Sequence, residues 1–291
     1  MPASSRFSLP PVPAVLLSIV SVQGGAAIAK GLFPLLGAAG TASGRIGLAA
    51  LMLLLVVRPQ LGQLSAAQWR AVVPYGLALG AMNLLFYCAL ARVPLGLAVT
   101  LEFVGPLGLA LAGSRRWLDA VWAVLAGAGI TLIAPWSSHG VDVLGLGFAL
   151  AAGGCWVLYI VLGQRTTAVL PGTTAVAVGM LFATLLVLPF GLAGGQLGAL
   201  LTPRLLLLGV ALALFSSALP FSLEIQALKS LPTRTFSILM SLEPVAAALC
   251  GWLLLHEYLT LGQWLAVALI VVASTGATLS TAPAQPALGG E

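Results

Sequence analysis

Apolar residues run along this chain in stretches of about twenty, separated by short polar breaks, and the stretches follow one another almost from end to end. A hydrocarbon layer about 30 Å thick takes roughly 20 apolar residues per helix, so each stretch predicts one crossing. Ten spans are predicted: 12–34, 38–57, 71–91, 94–113, 118–135, 144–163, 172–193, 204–228, 232–254 and 261–280. A membrane barrel would show alternating segments of about ten residues instead. No break is long enough to hold a soluble domain, and the pattern reads as an all-α polytopic membrane protein.

The stretches also repeat. Sliding the chain against itself by 138 residues sets Ala89-Leu90 on Ala227-Leu228, Pro94 on Pro232, Leu101 on Leu239, Pro106 on Pro244, Gly113 on Gly251 and Asp119 on Glu257. Apolar matches arise by chance in such a sequence, whereas prolines and an acid falling into register at one offset do not. Two five-span repeats are predicted, 12–135 and 144–280, followed by a short tail, 281–291. Five crossings are an odd number, so the second repeat must enter from the opposite face, and the two halves are inverted. Two such halves can rock about a site near the midplane and open it to each side in turn.

Composition supports the same reading. Of 291 residues 60% are hydrophobic and 7% charged, with a formal net charge of +5. With the N-terminus cytoplasmic, Arg6, Arg58, Arg70, Arg115, Arg116, Arg165, Lys229 and Arg234 fall at inner loops or span ends, and Arg92 and Arg204 fall outside. This positive-inside bias places both termini in the cytoplasm, and anionic lipid accounts for the charge without a nucleic-acid partner. Arg6, the apolar run from Val12 to Val22 and Ala27-Ile28-Ala29 have the parts of a secretory signal, but Lys30 would follow the cut directly. Cys88, Cys155 and Cys250 stand singly within spans, without the spacing of a disulfide or metal site.

Charge inside the spans is where chemistry is expected. A charged side chain at the bilayer centre costs on the order of 3 kcal/mol, so it faces a polar cavity or a partner. The intramembrane set is Lys30, Arg45, Glu102, Glu224 and Glu243. Helical spacing joins Gln23 to Lys30, Asn83 to Tyr87 and Ser217 to Glu224 on shared faces. Prolines remove the hydrogen bond four residues back, so Pro34, Pro106, Pro220 and Pro244 free the carbonyls of Lys30, Glu102, Ser216 and Met240. Freed carbonyls in hydrocarbon are tolerated where they line a polar pathway. The simplest alternative is a set of ion pairs that only hold helices together.

Glu102, with no Lys or Arg within nine residues on either side, is expected to hold a cation or a proton in transit. Lys30 or Arg45 would receive a carboxylate. Together the two signs suit a zwitterion such as a small amino acid, and a carboxylate that chooses between a proton and an ammonium couples their movements. Asp119 and Glu257 lie at span ends and are expected to cap helices or latch a gate, while Asp142 lies in an outer loop.

The stretches VPLGLAVTLEFVGPL (93–107), SRRWLDAVWAVLA (114–126), GCWVLYIVLGQR (154–165), MNLLFY (82–87) and SSALPFSLEIQALKSLPTRTFSILMSLEPVAAALCG (216–251) closely resemble the bacterial threonine/homoserine exporters. These belong to the EamA branch of the drug/metabolite transporter superfamily. The resemblance covers about 12–280 and implies export of small amino acids such as threonine and homoserine across the inner membrane, driven by the proton gradient, with no cofactor. It also implies ten helices in two inverted halves. Two positions depart from the pattern: Lys30 stands where Arg is expected, and His256 where Gly is usual.

Other classes fit less well. His256-Glu257 begins like a zinc-protease helix but lacks the second His, and only His139 remains elsewhere. A channel would want pore loops or rings of like charge. Among carriers, the alternative is an EamA relative that exports aromatic compounds, drugs or another metabolite.

Overall fold

The structure, a computed structural model, describes residues 10–112, 117–133, 142–220, 223, 227, 231 and 233–280. All regular structure among them is helical: α1 (Pro11–Gly31), α2 (Phe33–Val57), α3 (Ala66–Leu90), α4 (Leu95–Glu102), α5 (Val104–Ala112), α6 (Trp117–Ile133), α7 (Val143–Thr167), α8 (Gly172–Ala193), α9 (Pro203–Ala213), α10 (Thr233–Met240), α11 (Glu243–Leu255) and α12 (Leu261–Ser280), with three short 3-10 or π segments. Among the described residues seven helical segments are long and apolar enough to cross a membrane, and three shorter apolar ones accompany them: Leu95–Leu109, Ala120–Leu132 and Pro203–Ser217. Large apolar side chains such as Leu55, Val56, Leu207 and Leu253 are exposed on the outer surface, where a soluble protein would place polar ones.

Two of the expected spans are broken rather than continuous. The fourth divides into α4 and α5 at Phe103, and the ninth into α10 and α11 at Ser241 and Leu242. The breaks fall at the same place in the 138-residue register, since α4 moved by that offset covers Thr233–Met240, the bounds of α10. Pro106 and Pro244 stand in the first turn of the helix that follows each break, where a missing N–H leaves no bond unmade. Pro34 likewise opens α2 instead of kinking α1, and Gly37, at φ +67, sets the direction in which that helix continues. Before Pro220 the chain widens into a π turn at Leu214–Ala218, closed by the Leu219 N–H on the Leu214 carbonyl. Because Pro220 has no N–H to return to Ser216, the wider turn costs no bond at that carbonyl.

Packing is mostly between distant parts of the chain. α3 lies on α7 and α8, α2 on α8 and α9, α6 on α12, and α1 on α11 and the π turn. α4 contacts α11 and α7, and α5 contacts α7. Lipid removes the hydrophobic drive between helices, so close approach through small residues supplies the packing. Gly76 and Gly80 of α3 meet Gly179 and Ala183 of α8 in this way; a Cβ on Gly80 would stand 2.9 Å from the Ala183 backbone. Gly25 of α1 meets Ser216 similarly, which brings α1 onto the π turn.

Polar side chains close the helix ends. Ser65 and Gln68 form a reciprocal cap on α3, and Thr260 and Gln263 make the same pair of bonds before α12. Asp142 caps α7 and accepts a hydrogen bond from Arg92 at 2.7 Å, and that guanidinium holds its carboxyl below the usual range. His256 ends α11 in the left-handed region at φ +53, a conformation that glycine adopts freely and other residues adopt at some cost. The resemblance expects glycine at this position.

Gly80→Leu is expected to force α3 from α8 and destabilise the protein by about 1–3 kcal/mol, whereas Leu77→Ala, on an exposed face of α3, should have little effect. Thermal unfolding of the detergent-solubilised protein measures both.

Candidate functional site

The helix breaks and the π turn surround one cavity of about 320 Å³. That volume is at the small end of ligand pockets, enough for a molecule of amino-acid size with some water. Its walls come from both halves of the chain: Gln23 of α1, Arg45 of α2, Asn83 and Tyr87 of α3, Glu102 of α4, Trp156 and Tyr159 of α7, Ser216, Ser217 and Pro220 at the π turn, and Glu243 of α11. Seven of the expected binding residues, and Pro220 with them, therefore share one chamber. The rest of the lining is apolar and aromatic, with Met82, Phe86, Met180 and Met240 among it.

Arg45 is the only cation among the described residues that line the cavity. It donates to the Ser216 hydroxyl at 2.7 Å and to the Asn83 side-chain oxygen. Asn83 in turn donates to the Leu79 carbonyl at 2.8 Å, which fixes its amide. The guanidinium also lies 5.2 Å from the centre of the Tyr87 ring, within cation–π range. α3 and the π turn thus hold this charge of α2 in place, and its Nε is buried with no hydrogen-bond partner among the described residues.

The carboxylates owe their position to the broken helices. Glu102 is the last residue of α4 and only 8% exposed, and no hydrogen bond joins its carboxylate to a described residue. Its carbonyl lies against Gly153 of α7, where a Cβ would come within 2.6 Å of that oxygen. Glu243 is the first residue of α11 and accepts from the Gln23 amide at 3.5 Å. A carboxylate at a helix N-terminus faces the positive end of the dipole. Glu102 is within electrostatic range of both Glu243 and Arg45. Among the described residues the cavity brings two acids to one base, a surplus of one negative charge when all three are ionised.

Lys30 stands apart. It pairs with Glu257 at 2.6 Å and donates to the Val93 carbonyl at 2.7 Å, while Glu257 also accepts from the Leu95 N–H at 2.7 Å. One cluster ties the end of α1, the α3–α4 junction and the α11–α12 junction together at one end of the bundle. Gly251 leaves room for the acid, whose oxygen would lie 2.8 Å from a Cβ there. Lys30, expected to receive a carboxylate, is thus paired with Glu257 and is not part of the cavity lining. Seven residues fix a shared face with Gln23 but lift Lys30 two turns, about 10 Å, along the helix. Pro220 lines the cavity; Pro34, Pro106 and Pro244 do not. Glu224 and the side chain of Asp119 lie outside the described residues.

Trp156 and Tyr159 escaped the sequence reading. Aromatic rings with polar tips usually sit at the membrane interface, and the signal available was that these two, one turn apart, fall in the middle of a span. Tyr159 stacks on Tyr75 with ring centres 5.2 Å apart, and Trp156 meets Phe103 edge-on at 5.3 Å, beside the break that ends α4.

Comparison with known proteins gives a consistent result. The model of the EamA-like transporter family matches residues 143–279. The chain is 46% identical over 287 residues to the threonine/homoserine exporter RhtA of Escherichia coli K12, covering 96% of each chain, and equally similar to RhtA of Salmonella typhimurium. It is 26% identical over 215 residues to the transporter YwfM of Bacillus subtilis, covering 70% of this chain and 71% of that one. A solved crystal structure with 19% identity superposes with a TM-score of 0.54 over 92% of this chain and 96% of its own, which shows a common fold.

Arg45→Lys keeps the charge but cannot span Ser216 and Asn83 with a planar fork. It is expected to lower unfolding stability by about 1–3 kcal/mol. A double-mutant cycle with Asn83→Leu, followed by thermal unfolding in detergent, should show that the two changes are not additive.

Proposed function

The chain belongs to the EamA-like transporter family, and from that premise we propose that it exports small zwitterionic amino acids of the threonine and homoserine class from the cytoplasm by proton-coupled alternating access. It is a membrane transporter and not an enzyme. The observation that carries the substrate class is the meeting of Arg45 with Glu102 and Glu243 in one cavity of amino-acid size. Arg45 takes the substrate carboxylate, since two of its donors are already anchored and its Nε has no partner among the described residues. Glu102 takes the substrate ammonium in one state and a proton in another. A site that cannot hold both at once exchanges them, and export follows the inward flow of protons.

The alternating mechanism rests on ten spans in two inverted repeats, 12–135 and 144–280. Support comes from the contacts. Exchanging each span for the one five later turns α3 on α7 into the π turn on α1, α3 on α8 into α9 on α2, and α1 on α11 into α7 on α4 and α5. The pairs α2 with α8, α4 with α11 and α6 with α12 map onto themselves. Such a contact set is what a pseudo-two-fold axis in the membrane plane produces.

Basic residues put both termini in the cytoplasm of a bacterial inner membrane, so the Lys30–Glu257 cluster lies on the outer side. There it latches the outer gate: three junctions bound by one ion pair close that face while the cavity waits to load from within. Asp119, the counterpart of Glu257 in the repeat, serves the inner face. The other partners are membrane lipid and protons.

Glu102→Gln in proteoliposomes should abolish threonine accumulation against a pH gradient while counterflow without a gradient persists; gradient-driven accumulation at the wild-type rate refutes the coupling role. Lys30→Met or Glu257→Gln alone should speed loss of the outer-closed state, and the exchange Lys30→Glu with Glu257→Lys should recover part of it. Accessibility of a cysteine placed at Gln23 to a membrane-impermeant thiol reagent, in a cysteine-free background, measures this.

A further inference from the structure

Among the described residues, three buried side-chain atoms have no hydrogen-bond partner: Arg45 Nε, the Gln23 amide oxygen and the Tyr87 hydroxyl. All three residues line the cavity. A buried polar group without a partner is costly and rare, so three around one chamber indicate what the chamber is built to hold. Arg45 Nε suits the carboxylate already assigned to it. The Gln23 oxygen cannot serve that group, and Tyr87, whose hydroxyl both donates and accepts, has an acceptor side left over even if it donates to a carboxylate. An amide oxygen only accepts, so it cannot bond a carboxylate, and an apolar side chain would leave both Gln23 and Tyr87 unsatisfied.

We propose that Gln23 and Tyr87 form a subsite that reads a hydroxyl on the side chain of the transported amino acid. This rests on the zwitterion reading above and adds the reason for its selectivity. An aliphatic hydroxyl has one proton to give and lone pairs to share: it donates to the Gln23 oxygen and accepts from the Tyr87 hydroxyl.

Neighbours restrain both groups. The Gln23 amide nitrogen is directed at Glu243, which turns the oxygen of the same amide the other way. The Tyr87 ring packs against both the Arg45 guanidinium and Phe33, whose ring centre is 5.7 Å away. Gln23 is 2% and Tyr87 1% exposed, so a rejected substrate leaves these atoms dry rather than returning them to water. Sites built to bond a hydroxyl discriminate strongly against analogues that lack it for this reason. The substrate ammonium has Glu102 and Glu243 as charged partners and does not need the two neutral groups.

The test compares threonine with valine, which has the same shape with a methyl in place of the hydroxyl, and homoserine with norvaline. Purified full-length protein in liposomes is assayed by counterflow of each labelled amino acid. The wild type should prefer threonine to valine, and both Tyr87→Phe and Gln23→Met should lower the threonine-to-valine ratio of initial rates by about tenfold or more, with the same trend for homoserine over norvaline. A proportional fall in all four substrates, or an unchanged ratio, overturns the proposal by showing that the groups serve packing or the shared ammonium. Should Gln23→Met fail to insert, Tyr87→Phe decides, since it removes a single oxygen. A wild type that moves both members of a pair equally overturns the hydroxyl subsite alone. One that moves none of the four overturns the zwitterion reading beneath it.

Discussion

A charge in hydrocarbon must find another polar group, and that constraint organises this protein. Arg45, Glu102 and Glu243 come from three helices that are far apart in sequence. None could sit stably in lipid alone, so the fold that satisfies them has to bring those helices around a common chamber. The apolar remainder of each helix can slide or rotate at little cost, because lipid tails are as apolar as leucine. Small residues then decide how close the backbones come, as at Gly80 against Ala183 and Gly25 against Ser216. Charge selects which faces turn inward, and glycine sets the distance.

Irregular backbone places the functional groups within that frame. Glu102 ends one half-helix and Glu243 begins another, so both carboxylates lie beside helix termini instead of in the middle of a continuous rod. Ser216 and Ser217 belong to a π turn. Breaks of this kind expose backbone polar groups and are tolerated in a membrane where they line a cavity. The prolines permit them without loss of bonds, since Pro106 and Pro244 stand where a helix has an N–H to spare. Structural irregularity and candidate chemistry therefore coincide here for one physical reason.

The helical membrane architecture could be read from the sequence because hydrophobic length is a direct count of bilayer thickness. The converging residues were legible too, because an ionisable side chain within an apolar stretch has few alternatives. Depth was harder. Gln23 and Lys30 share a face of α1, yet one lines the cavity and the other ends in a pair with Glu257, and face periodicity carries no information on the position of a partner along the axis. The π turn was foreshadowed by Pro220 but could not be derived from it, since a proline is equally consistent with a kink. Trp156 and Tyr159 carry no charge that would single them out, and only the cavity shows what they face.

On the duplicated reading, the scaffold has a two-fold axis and the site does not. The offset that carries α4 onto α10 sets Glu102 against Met240, and Glu243 against Gly105, so each half supplies a carboxylate at a position where its counterpart has none. Symmetric contacts let two states of similar packing interconvert, with one face opening as the other closes. A symmetric site would bind a zwitterion in two opposed orientations. One guanidinium on α2 and acids at unrelated positions of α4 and α11 make the cavity's charges asymmetric, and on the proposed reading the carboxylate and ammonium ends then have distinct places. The side chain of a bound amino acid is then directed to one wall, and only in such a site can neutral groups on that wall distinguish a hydroxyl from a methyl.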